Sequence, residues 1–257
     1  MIQYNGENRN VVVNTLAKVI LVASGKGGAG KSTVSALLGE ALAFSGHPTV
    51  IFELDSGLRS LDVALSTTEN VVFDMGDAQR GSSLYEIAVP CPFCKNLYLV
   101  SASAAFCEIK SEVLSRLIAE ADEKFEFVIM DCPAGLGNTL AAAAEKSDTA
   151  LIVATPDPSS IRAAGAASDF IRQKSNAELR LIIERCPQKA KKLEPIESLD
   201  EIIDGASARL IGILWDDPLT RKAIDSGTAL PYGSPNKKMI GDIAERLLGK
   251  RILLDFK

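Results

Sequence analysis

Residues Ser24 to Thr33 read Ser-Gly-Lys-Gly-Gly-Ala-Gly-Lys-Ser-Thr, a spacing suited to gripping phosphate. Gly25, Gly27, Gly28, Ala29 and Gly30 carry almost no side chain, so the backbone can curl and turn successive N–H groups toward one anion. Lys31 is placed to reach the outer phosphates of such a ligand. The Ser32 hydroxyl, with Thr33 beside it, is placed to join the shell of a magnesium ion. Lys26 is a second cation in the same loop. One lysine already suffices for a phosphate held by its own chain, so Lys26 is either a solvated loop residue or serves something outside that pocket.

A triphosphate site also needs acids for the metal and for the attacking water. Two strand-like runs end in them. Thr49-Val50-Ile51-Phe52 leads into Glu53-Leu54-Asp55, and Phe125-Glu126-Phe127-Val128-Ile129-Met130 leads into Asp131-Cys132-Pro133-Ala134-Gly135. Either Asp alone reads as a helix cap or turn residue. Two of them beside a phosphate loop read as a metal-linked pair, and the glycines beyond them permit movement. Ser32, Asp55 and Asp131 are therefore the metal candidates.

The elements that must position these residues alternate along the chain. Apolar runs at Val19–Ser24, Thr49–Leu54, Asn96–Val100, Phe125–Met130, Ala150–Ala154, Leu179–Ile183 and Leu210–Leu214 are mostly unbroken, as in parallel strands covered on both faces. Helical spacing falls at Ser32–Ser45, Ser111–Glu123, Asn138–Ala144, Ser160–Lys174, Pro195–Asp204, Pro218–Ser226 and Pro235–Leu248. The alternation predicts an α/β fold, a doubly wound and mostly parallel sheet with helices on both faces in a single domain. Residues 1–18 read as a short extension, 19–249 as the domain and 250–257 as a tail. With 47% hydrophobic residues, a chain of 257 can fill such a core.

The net charge of −5 argues against binding nucleic acid by bulk electrostatics. Five cysteines, an odd number, suit a reducing compartment, and neither a membrane-spanning run nor a secretion signal is visible, so a cytoplasmic protein is expected.

The sequence Lys26-Gly-Gly-Ala-Gly-Lys31-Ser-Thr resembles the deviant Walker A loop of the MinD/ParA family of P-loop ATPases. Asp55-Ser-Gly-Leu-Arg-Ser-Leu-Asp62 is similar to the first switch segment of its MinD branch, and Asp131-x-Pro-Ala-Gly135 to the second. Ala154 to Arg162, Gly212 to Asp217 and Glu245 to Gly249 extend the similarity over about Val19 to Gly249. The resemblance implies ATP and Mg²⁺ as cofactors and slow hydrolysis. It makes Lys26 a cation that crosses an ATP-dependent homodimer interface to the partner's phosphates. Asp55 would orient the water and Asp131 would hold the metal through water. Base contacts would fall on Arg185 and Asp217, although Glu184-Arg185 stands where the family often has Asn-Arg, and Glu53 where it usually has Asp. The implied role is a switch in division-site placement, with an activating or effector protein on the dimer surface; DNA segregation and flagellar placement are the neighbouring roles. The family's membrane-inserting tail is basic and amphipathic, and Lys250–Lys257 is too short for a stable one, which puts membrane contact in doubt and leaves a peripheral place at the membrane as the alternative to a purely cytoplasmic one.

Cys91-Pro-Phe-Cys94 has the spacing of half a metal site or a redox pair, without a second close pair to complete it; two unligated thiols are expected. Iron proteins of the same superfamily bridge protomers through cysteines placed loosely like Cys107 and Cys132, which makes a cluster-bearing ATPase the alternative. His47, the one histidine, falls in a turn. Trp215 reads equally as core or as a wall of the nucleotide site.

Overall fold

Val19 to Ala23 are apolar at every position, and both faces of the strand they form are covered. Val19, Leu21 and Ala23 enter one core, with Phe52, Met130, Ile152 and Ile183. Ile20 and Val22 enter a second core on the opposite face, with Ile51, Ile129, Leu151 and Ile182. The structure, a computed structural model, describes residues 16–57, 59–105, 108–187 and 198–254.

The strands are β1 (Lys18–Ala23), β2 (Thr49–Glu53), β3 (Val89–Pro90), β4 (Leu97–Val100), β5 (Phe127–Asp131), β6 (Thr149–Ala154), β7 (Glu178–Cys186) and β8 (Arg209–Trp215). They form one sheet in the order β3-β4-β2-β5-β1-β6-β7-β8. Every pair is parallel except β3 with β4. β1 sits between β5 and β6, so chain connections diverge on either side of its carboxyl end. That divergence opens the crevice in which doubly wound sheets hold ligands. Residues Val22 and Glu53 both stand in register with Asp131, which brings the strand tips together there.

The main helices are α1 (Lys31–Phe44), α5 (Ser111–Ala121), α6 (Asn138–Ala144), α7 (Pro158–Lys174), α8 (Leu199–Ala206), α9 (Pro218–Ser226) and α10 (Pro235–Leu247). α7, α9 and α10 start alike. Asp157, Asp217 and Ser234 accept backbone N–H groups of the first turn, and a proline follows each cap. Proline there loses no hydrogen bond and presets the helical φ.

Between β2 and β4 the structure holds elements that the apolar spacing did not predict: α2 (Ser60–Ala64), a 3₁₀ turn (Thr68–Asn70), α3 (Met75–Arg80) and α4 (Leu84–Ile87). They are too short to show a helical period, and local bonds hold them. Asp74 and Asp77 form a capping box at α3, Ser83 and Glu86 another at α4, and Gly81 ends α3 in the left-handed region. Several element boundaries also shift, β7 for one running to Cys186 and not Ile183. β1 begins at Lys18, inside the expected extension; β5 includes Asp131; and α8 ends at Ala206, not Asp204. Residues 1–15, 188–197 and 255–257, on which parts of the expected extension, of the helix expected at Pro195–Asp204 and of the tail fall, lie outside the described residues. Of the tail, Ile252 and Leu253 are held by their carbonyls, which accept from Arg246 of α10. Among the described residues no helix is long and apolar enough to cross a membrane.

Candidate functional site

The loop from Ser24 to Gly30 joins β1 to α1 at the sheet's crevice. Gly25 lies so close to α7 that a Cβ there would sit 2.0 Å from the Ala163 carbonyl oxygen. Gly30 caps α1 at φ 96, a left-handed conformation natural to glycine, and faces the Glu184 carboxyl. The free N–H groups of α1's first turn therefore open onto the crevice, where its dipole favours an anion. Lys31, the first residue of α1, is buried, and its ammonium donates to the Ser24 hydroxyl at 3.2 Å.

Asp131 lies beneath the same turn. Its two oxygens accept from the Ser32 hydroxyl at 2.7 Å and the Ser35 hydroxyl at 3.0 Å. Burial pushes this carboxyl up to about 7, against the pull of Ser32, Lys31 and Ser35, and nearby Glu53 adds to the rise. A desolvated carboxylate beside a hydroxyl supplies hard oxygen donors of the kind magnesium takes. The described residues include no cluster of three or more His, Cys, Asp or Glu able to hold a metal. Magnesium, which keeps most of its waters and shares substrate phosphates, needs no such cage. Asp55 is half-buried in the turn after β2, and its neighbour Leu54 donates its N–H to the Asp131 carbonyl at 2.9 Å. Leu58, within the same expected switch segment, lies outside the described residues.

The ammonium of Lys26 has partners other than that of Lys31. It contacts Asp157 at 3.2 Å and Ser159 at 2.7 Å on the loop that starts α7, and the Lys26 side chain is 46% exposed. Burial alone would raise the Asp157 carboxyl. Hydrogen bonds from Thr155, Ser159, the Ser160 N–H and Lys26 outweigh it and hold the group well below the carboxylate range. On the other flank, at the end of β7, Arg185 donates from Nε to Glu184 at 2.7 Å and from a terminal nitrogen to the Gly28 carbonyl. Glu184 is buried, which pushes its carboxyl up, with Arg185 pulling the other way. Asp217 is different from expectation. Its carboxylate accepts from the N–H groups of Leu219 and Thr220 and from the Thr220 and Ser234 hydroxyls. Those four donors make it a cap of α9 that also ties down α10, which leaves it little to offer a base. Trp215 packs partly buried against the core, with both its backbone groups held by Asn236.

Comparison with known proteins gives the family. The family model described as an AAA domain matches residues 17–181. The septum site-determining protein MinD of Bacillus subtilis is 32% identical over 246 residues, 93% of this chain and 92% of that protein. The chain belongs to the MinD/ParA family of P-loop ATPases. The MinD of Synechocystis is also 32% identical, over 248 residues, again 93% of this chain and 92% of the relative. Among solved structures, a chain of the MinC:MinD cell division protein complex of Aquifex aeolicus is 29% identical. It superposes with a TM-score of 0.84 over 93% of this chain and 98% of its own.

Seen as a MinD/ParA protein, the chain has supports that the motif did not reveal. Glu53, fully buried, accepts from the Leu61 and Ala102 N–H groups and so fixes the start of α2 against the end of β4. In the sequence Asp157 stood only within the segment before Arg162 that resembles the family, and nothing in that pattern announces a partner 131 positions away. The four described cysteines are all buried, Cys186 at the end of β7 among them. Cys91 and Cys94 are buried in the turn between β3 and β4, Cys132 is fully buried after β5, and Cys107 lies outside the described residues.

Proposed function

We propose that this chain is a Mg²⁺-dependent ATPase that dimerises on ATP and acts as a MinD-type spatial switch in division-site placement. The observation that carries the reading is the division of labour between the loop's two lysines. Lys31 is buried over Ser24, beside the Ser32–Asp131 pair, whereas Lys26 leans outward and half-exposed. Such a cation is placed to serve a second protomer's phosphates, as an arginine finger does when supplied in trans.

In this reading the loop N–H groups and Lys31 hold the triphosphate. Ser32 and Asp131 hold the magnesium ion, which when bound neutralises charge on the phosphate oxygens. Asp55 positions the attacking water. The adenine lies beyond Gly30, toward the ends of β7 and β8. The identity to the septum site-determining proteins supports the placement role, and the Aquifex complex with MinC supports an effector protein as partner.

Phosphate release separates this reading from a regulator that only binds nucleotide. Lys31→Ala and Asp55→Ala are expected to lower release at least tenfold, about 1.4 kcal/mol of lost stabilisation or more. Equal rates in wild type and both variants would contradict turnover at this site. For the cellular role, removing the protein from its own cell is expected to displace septa from their usual position; unchanged septa would contradict it.

A further inference from the structure

The nucleotide-binding reading leaves one arrangement unexplained. Arg185 follows the buried Glu184 at the tip of β7 and adopts a left-handed backbone, φ 54, which a residue with a Cβ enters only when its surroundings impose it. Its guanidinium is forked. Nε donates to the Glu184 carboxylate at 2.7 Å, and a terminal nitrogen donates to the Gly28 carbonyl, in the outer arm of the phosphate loop. The Glu184 carboxyl is in turn packed against Gly30, where an added Cβ would sit 2.6 Å from its Cδ. One pair of side chains thus touches the loop on both sides of Ala29.

In a trans peptide the carbonyl and the following N–H point in opposite directions. Holding the Gly28 oxygen toward Arg185 turns the Ala29 N–H away from Arg185 and leaves it free for an anion. Gly28 has φ 73 and no neighbour within 4 Å of where a Cβ would be, so no side-chain packing at Gly28 sets this turn of the loop. We propose that Arg185, fixed by Glu184, is a positioning residue that sets the Gly28–Ala29 peptide with its N–H toward the phosphates, and so raises affinity for any polyphosphate whatever its base. The inference rests on the nucleotide-binding reading above and assigns Arg185 to the loop, not to the base.

Equilibrium binding of ATP, GTP and inorganic triphosphate, each with Mg²⁺, tests it in wild type, Arg185→Met and Arg185→Lys. Met keeps the stem and removes every donor. It is expected to weaken all three ligands by one common factor, about tenfold, as for a lost charge-assisted hydrogen bond. Lys, with one donor group to share between Glu184 and Gly28, recovers part of that loss. In turnover assays the effect falls on KM far more than on kcat. A loss confined to ATP would overturn the inference, because it would place Arg185 on the base. So would an Arg185→Met protein that matches wild type on every ligand. A wild type that binds none of the three ligands contradicts the nucleotide reading itself, a different and prior failure.

Discussion

A carboxylate as deeply buried as Asp131 is costly to keep ionised, and here its direct partners are two serine hydroxyls. A nearby metal would repay that cost, whereas an amide of the same shape avoids it. Asp131→Asn is therefore expected to lose most Mg²⁺-stimulated phosphate release while its ligand-free form melts no lower than wild type. A large drop in melting temperature would assign Asp131 a structural role instead. Gly25 makes a different demand, since the Ala163 carbonyl lies where a Cβ would go. Backbone cannot move aside as a side-chain tip does, so Gly25→Ala should cost about 1–3 kcal/mol in denaturant unfolding and weaken nucleotide binding as the loop shifts. At this scale the sequence was most legible: glycine, lysine, serine and aspartate at fixed spacing state their chemistry. Asp217 shows the limit. An acid at a strand end reads the same whether it faces a ligand or caps the next helix, and only the four donors around it decide.

Elements reach the site through their ends. The N-terminus of α7 is capped by Asp157, whose carboxylate also holds Lys26, and hydrogen bonds keep that group well below its usual range. A depressed carboxylate lends stability above its unfolded pKa, about 4, and loses it as pH falls toward the folded value. Asp157→Asn should thus melt below wild type at neutral pH, with the gap closing as pH drops below about 4; a gap independent of pH would contradict this assignment. Across the sheet, Glu40 of α1 is buried between the Leu230 N–H and the Lys237 ammonium at 2.6 Å, and so anchors the α9–α10 connection and α10. Glu40→Ala strands both donors and is expected to cost about 2–3 kcal/mol in denaturant unfolding. The strands could be read from the sequence because burial on both faces makes them continuously apolar. The segment from α2 to β3 could not, because its helices of four to six residues are set by caps and by Glu53 rather than by period.

For the whole molecule, the sheet order places β1 at the point where connections diverge, and the phosphate loop, Asp55 and Asp131 all gather there. What the fold of one chain leaves open to a second is the flank carrying Lys26, held outward by Asp157 and Ser159. The measurement that tests the account most directly is molecular mass by light scattering of the Asp55→Ala protein, expected to hydrolyse ATP too slowly to clear it, with ATP, with ADP and without nucleotide. The account predicts a doubled mass with ATP alone. Adding Lys26→Ala should return the protein to a monomer while ATP binding by calorimetry persists. A protein that stays monomeric with ATP, or a Lys26→Ala variant that still dimerises, would contradict it.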